Sequence, residues 1–347
     1  MYVHAEPQMD KQKILPQVVF LRALASLGVC VFHLTFAQPI FSDSSVFKQL
    51  FLYGWYGVQM FFIISGFIIC YSMPEDYQLK DFKTFIVKRI VRIDPPYIIC
   101  ILLILFLLFI SAPFNHVPFH FSFLNFLYHL GYLNNFKLGE YYSPVFWTLG
   151  IEFQFYILIG VIFWFIKKSA LNLVIGIAFL LGISFIPTQN TMLVLYSLPL
   201  FCLGMAANFY LYDQKINTPT YLGVIAVCFV LIFIKSIPIF WCCVFTMMVI
   251  HFWKNDNMII RFFSRISYSL YLTHSVIGVR VINLGLRFCH TTVTKHLLFV
   301  VALIVTIAFA WLFEIVVEKP FMRMAKSIHY KRPQSVNSTI SAINNTI

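Results

Sequence analysis

Stretches of about 20 apolar residues recur along this chain, and each is long enough for a helix to cross a bilayer. Nothing else in the sequence limits the fold as strongly. In hydrocarbon every backbone N–H and C=O must be satisfied within the segment, which a helix achieves and an open irregular segment does not. The runs predict spans over roughly 17–38, 52–72, 94–112, 145–166, 170–187, 192–212, 219–235, 237–253, 266–283 and 297–317. The expected fold class is therefore all-α, a polytopic membrane protein with about ten transmembrane helices. Composition agrees: 60% of residues are hydrophobic and 11% charged, too few to cover the surface of a soluble domain.

Residues 1–16 read as a cytoplasmic lead, 17–326 as one membrane domain, and 327–347 as a basic, then Ser/Asn-rich, loose tail. An even number of spans returns the chain to its starting side. Lys and Arg gather in the loops of that side, most densely at Lys80, Lys83, Lys88, Arg89 and Arg92. That asymmetry places both termini in the cytoplasm and the 113–143 connection outside. It also accounts for the net charge of +12 without nucleic acid as a partner. The eight cysteines fall mostly within apolar runs, without metal-type spacing, so neither a disulfide framework nor a metal site is expected. No small-residue cleavage site follows a short apolar region at the N-terminus, so no cleaved signal peptide is expected.

Ionisable groups inside spans are costly and point to function. The first span carries Arg22 and His33, eleven residues apart and hence on one face, roughly 16 Å apart along the axis. Either alone reads most simply as a snorkelling Arg or a satisfied His; the pair does not. Ala23, Ala25 and Gly28 suit close helix packing, and Ser65-Gly66 in the second span reads as a close-packing or kinked point. Lys88, Arg89 and Arg92 share a face just before Pro95 and Pro96, which punctuate the start of the third span. They suit phosphate oxygens, though topology anchors or contacts to anionic lipid are the plainer reading. Glu152 has no Lys or Arg within a turn, and Thr148 and Tyr156 share its face. Pairing with Arg22 or His33 would keep it charged, and a carboxylate beside a His holds a general base; a structural ion pair is the equal alternative. Ser267, Tyr271 and His274 form a stripe on the ninth span that suits a polar channel or ordinary helix–helix hydrogen bonds. Glu318-Lys319-Pro320 reads as an interfacial helix end.

Taken in order, LRALASLGVCVFH, GVQMFFIISGFII, KRIVRIDPPY, FWTLGIEFQFY, ISYSLYLTH and EKP span nearly the whole chain. The ordered set resembles the membrane-bound acyltransferase-3 family of bacterial O-acyltransferases. The resemblance implies a ten-helix enzyme that moves an acyl group from cytosolic acyl-CoA to a hydroxyl, usually on a sugar. It assigns catalysis to Arg22 and His33 and donor binding to Arg89 and Arg92, with Glu152 matching the family's fourth-helix carboxylate. The departure is Asp94-Pro95-Pro96 after Ile93. No hydrolase-like domain follows the tenth span, so no relay through one is expected within this chain.

The expected function is an O-acyltransferase, most simply an O-acetyltransferase, of the inner (cytoplasmic) membrane, acting on a surface polysaccharide or lipid-linked saccharide. His33, Arg22 and Glu152 are the catalytic candidates, and Lys88, Arg89 and Arg92 the donor-binding ones. Ser65, Ser267, Tyr271 and His274 are candidates for lining the acceptor path. Acyl-CoA is a substrate, and no permanently bound cofactor is expected. The bilayer, the saccharide acceptor and polysaccharide-assembly proteins are the expected partners. A transporter of an anionic or acylated small molecule is the rival reading, using the same buried Arg, His and Glu. A non-catalytic export scaffold would leave those charges unexplained.

Overall fold

The computed structural model describes residues 15–36, 40–42, 45–115 and 118–330. Nearly all of the expected lead, and the tail from 331, lie outside the described residues. Within them the chain is helical, with no strand. The main helices are α1 (Pro16–Phe36), α2 (Val46–Phe51), α3 (Gly57–Ser72), α4 (Phe82–Asn115), α5 (Phe123–Leu130) and α6 (Trp147–Ile166). They continue with α7 (Ala170–Ile183), α8 (Val194–Leu211), α9 (Thr218–Lys235), α10 (Ile237–Phe252), α11 (Met258–Gly285), α12 (Thr292–Phe313) and α13 (Lys319–Ser327).

A helix lies over each of the ten predicted segments, and among the described residues seven helical stretches are long and apolar enough to cross a membrane. The α7 and α10 helices are apolar but shorter, at 14 and 16 residues. The α11 helix is long, at 28 residues, but carries Arg261, Arg265 and Arg280. Side chains in the connecting loops start several helices: Ser169, Asn217, Ser236, Asn257 and Thr291 each accept a bond from the amide three residues on.

Two expectations about proline are corrected. Pro95 and Pro96 do not mark the start of the third span; α4 runs through them, so Lys88, Arg89 and Arg92 are helical. The prolines remove the amide hydrogens that the Val91 and Arg92 carbonyls would accept. Tyr268 of α11 donates to the neighbouring Ile93 carbonyl at 2.8 Å. Nor does Pro320 end the last span. A π turn, Glu314–Glu318, links α12 to α13, placing Pro320 in the first turn of α13, where its missing N–H costs little.

The centre of the bundle is held by close backbone contacts. The α1 helix packs along α11, and α3 along α8. A Cβ on Gly204 would lie 2.7 Å from the Phe67 nitrogen, and one on Gly66 would lie 2.8 Å from the Phe201 carbonyl carbon. On the other side, a Cβ on Gly28 would meet the Gly54 oxygen at 3.2 Å, and one on Gly57 the Ala25 carbonyl carbon at 3.1 Å. The small residues of the first two spans thus do set helix separation.

The connection between α4 and α6 is folded. Asn135 donates to the Trp147 and Met192 carbonyls at 3.0 and 2.6 Å and accepts from Tyr141, tying this segment to the start of α6 and to the loop before α8. His129 is fully buried there. Its Nδ1 donates to the Asn125 carbonyl at 2.8 Å, and its Nε2 accepts from the Tyr142 amide at 3.1 Å. Burial holds the imidazole below its ordinary value of 6.5. The folded state therefore keeps His129 neutral, and an opened segment binds a proton more readily. Its contribution is complete above pH 6.5 and lost as pH falls through 6.5 towards the depressed native value. We expect amide exchange over 125–142, corrected for intrinsic rates, to accelerate between pH 7 and pH 5. In a His129→Gln variant that pH dependence should vanish; equal dependence in both proteins would contradict this role.

Candidate active site

A cavity of about 120 Å³ lies between α1, α3, α4, α6, α11 and the π turn. Three arginines, Arg22, Arg89 and Arg92, and two glutamates, Glu152 and Glu318, are among its lining residues. Arg22 projects from α1 and donates to Ser267 Oγ through Nη2 at 2.9 Å and Nε at 3.2 Å. Two residues further along α11, Ser269 serves an acid instead. Glu318 accepts from Ser269 Oγ at 2.6 Å and from the Ser269 amide at 3.2 Å. Its π-turn neighbour Glu314 pairs with Arg265 of α11 at 3.5 Å. The turn is thus fastened to α11 at two points one helical turn apart.

Arg89 donates to Ser72 Oγ at 2.8 Å, and its guanidinium lies over Phe85 and Tyr156 at 5.4 and 5.7 Å from the ring centroids. Its Nε is buried without a hydrogen-bond partner among the described residues. A buried charged donor without a partner, on a residue of the cavity wall, suits an anionic ligand. Lys88 is not part of this wall: it donates to the Ile328 carbonyl and lies over the Tyr330 ring. Its position one residue from Arg89 turns it onto the segment after α13.

Glu152 takes its hydrogen bonds from Ser65 of α3 and from Tyr156, one turn along its own helix. The expected pairing with Arg22 or His33 is replaced by these two hydroxyls. Ser65, Ser267 and Tyr271 line the cavity, whereas His274 does not and its ring lies beside that of Tyr271. The Tyr271 hydroxyl is 2.6 Å from Thr148 Oγ1, and its ring meets Phe61 edge-on at 5.7 Å.

The His274 ring follows at 6.0 Å from that of Tyr271, and His33 at 5.0 Å from His274. In both histidines Nδ1 lies 2.9 Å from the carbonyl four residues earlier, Val29 for His33 and Leu270 for His274. A carbonyl oxygen only accepts, so in both rings the hydrogen sits on Nδ1. Nε2 of His33 keeps its lone pair and has no partner among the described residues. Arg22 and His33 therefore share a face of α1, as their spacing predicts, but only Arg22 reaches the cavity. Glu318 is the main residue missed by the sequence reading. An acid at the end of an apolar run is as costly as Glu152, but the following Pro320 disguises it as a helix end.

The family profile described as an acyltransferase domain matches residues 16–315. The chain belongs to the acyltransferase-3 family. Among curated proteins, this acyltransferase-3 chain is 30% identical over 194 residues to a protein of Acidianus two-tailed virus named as a proposed acetyltransferase, covering 54% of each. It is 28% identical over 174 residues to the O-acetyltransferase OatA of Staphylococcus aureus, covering 46% of this chain and 26% of OatA. The chain thus spans about half or less of the length of these relatives. No solved structure matches it.

Proposed function

We propose that this acyltransferase-3 chain is an integral-membrane O-acyltransferase carrying an acyl group, most simply acetyl, from cytosolic acyl-CoA to a hydroxyl of a surface polysaccharide or lipid-linked saccharide. It would cross the cytoplasmic membrane ten times with both termini inside. The observation that carries this reading is one arrangement. Three arginines line a cavity that Phe61 and Tyr271 also line, and the His274 and His33 rings follow that of Tyr271. Arg89 and Arg92 hold the anionic donor, and the acyl end passes Phe61 and Tyr271 towards His33. Nε2 of His33 takes the proton of the acceptor hydroxyl as its oxygen attacks the thioester carbonyl. The carbon–sulfur bond breaks, and the imidazolium returns the proton to the departing CoA thiolate. Arg22 and the hydroxyls held around Glu152 stabilise the charge that develops. Family membership sets the transporter and scaffold readings aside.

The donor site is tested through Arg89. Lysine keeps the charge but has no Nε to fill the open position. Arg89→Lys is expected to weaken acetyl-CoA binding by roughly 10- to 100-fold in titration calorimetry, the range for a lost charge-assisted hydrogen bond. Unchanged affinity in an Arg89→Ala/Arg92→Ala variant would return both residues to the role of topology anchors.

A further inference from the structure

We infer that His274 is the positioning residue of His33, a role that rests on His33 being the base. Nε2 of His274 lies 3.3 Å from Nδ1 of His33. Because Nδ1 of His274 gives its hydrogen to Leu270, its Nε2 is an acceptor. It therefore faces the hydrogen that His33 shares with the Val29 carbonyl. Two acceptors, one from α1 and one from α11, converge on a single N–H. They fix the ring of His33 about its side-chain bonds and keep the hydrogen on Nδ1, away from the nitrogen that must receive a proton.

The second acceptor matters most when His33 becomes an imidazolium. Its Nδ1–H is then a stronger donor, and a neutral acceptor at hydrogen-bond distance stabilises the charge without bringing a carboxylate into the bilayer. The position is rigid. His274 has no exposed surface, and the flanking Thr273 and Leu272 are also fully buried. Thr273 and His274 both bond back to carbonyls of α11, at 2.7 and 2.9 Å. Glu152 cannot serve in this way, since Ser65 and Tyr156 hold it at the cavity.

The test uses full-length protein in lipid nanodiscs, comparing wild type with His274→Phe, His274→Gln and His33→Gln. Phe keeps a ring of similar size without the acceptor; Gln offers a carbonyl oxygen in its place. Release of CoA thiol from acetyl-CoA is measured with water and a panel of methyl glycosides as acceptors. In His274→Phe, kcat should fall roughly 10- to 100-fold with KM for acetyl-CoA unchanged, and His274→Gln should recover part of the loss. A second readout needs no turnover. In 15N-histidine-labelled protein the His33 signals, identified by their absence in His33→Gln, should show a protonated Nδ1 that shifts in His274→Phe. Wild-type kcat in His274→Phe, or an Nδ1 signal indifferent to it, would overturn the proposal. Wild-type turnover in His33→Gln would instead remove the base assignment on which it rests.

Discussion

Replacing His33 by Gln is expected to lower acyl transfer by roughly 10²- to 10⁴-fold, the range that general-base catalysis contributes, while acetyl-CoA still binds. Glutamine can keep a hydrogen bond but takes no proton near neutral pH. His33→Ala should be no better. The reason lies in the ring's hydrogen bonding. Nδ1 gives its hydrogen towards Val29, so the lone pair is on Nε2, which has no partner among the described residues. Transfer normalised to folded protein and to donor occupancy separates this from a packing role. If the Gln variant transfers at near the wild-type rate, His33 is structural, and Glu152 becomes the next candidate for the base.

The second large effect is expected at Gly204. An alanine methyl there would lie 2.7 Å from the Phe67 nitrogen and closer still to the Ile63 carbonyl, and backbone cannot step aside as a side chain can. Gly204→Ala should cost about 1–3 kcal/mol, seen as a lower unfolding temperature in detergent. It should also lower transfer, because parting α3 from α8 moves Ser65 away from Glu152. Gly182 and Gly223 supply the comparison: a Cβ at either meets nothing within 4 Å. Alanine there should be neutral or should stabilise by up to about 1 kcal/mol through helix propensity. Equal destabilisation at all three sites would show that the α3–α8 contact has no special role.

The sequence makes some of this geometry readable and hides the rest, for identifiable reasons. A helix fixes relations within itself. The common face of Arg22 and His33, the stripe of Ser267, Tyr271 and His274, and the company of Glu152 with Thr148 and Tyr156 are all plain from spacing. It says nothing about which hydroxyl arrives from another helix, so the bond from Ser65 to Glu152 is not legible. Local rules mislead where tertiary contacts offset their cost. Pro95 and Pro96 look like a boundary but sit inside α4, beside a carbonyl that Tyr268 engages. Lys88 shows the limit of charge clustering, since one residue's step around a helix separates it from the cavity that Arg89 lines.

The π turn at 314–318 has a consequence for phase. A π turn closes its hydrogen bond over one residue more than an α turn, so it absorbs a residue without lengthening the helix in proportion. Regular winding through the same five positions would leave everything downstream rotated by about 100°. Glu318 would swing off Ser269 and out of the cavity wall. The buried face of α13, with Ala325, would no longer meet α4. The extra residue thus keeps two faces of one long rod in step, the apolar face of α12 upstream and the docking face of α13 downstream. A chimaera joined within this segment must carry that residue across the junction, however well the flanking helices match.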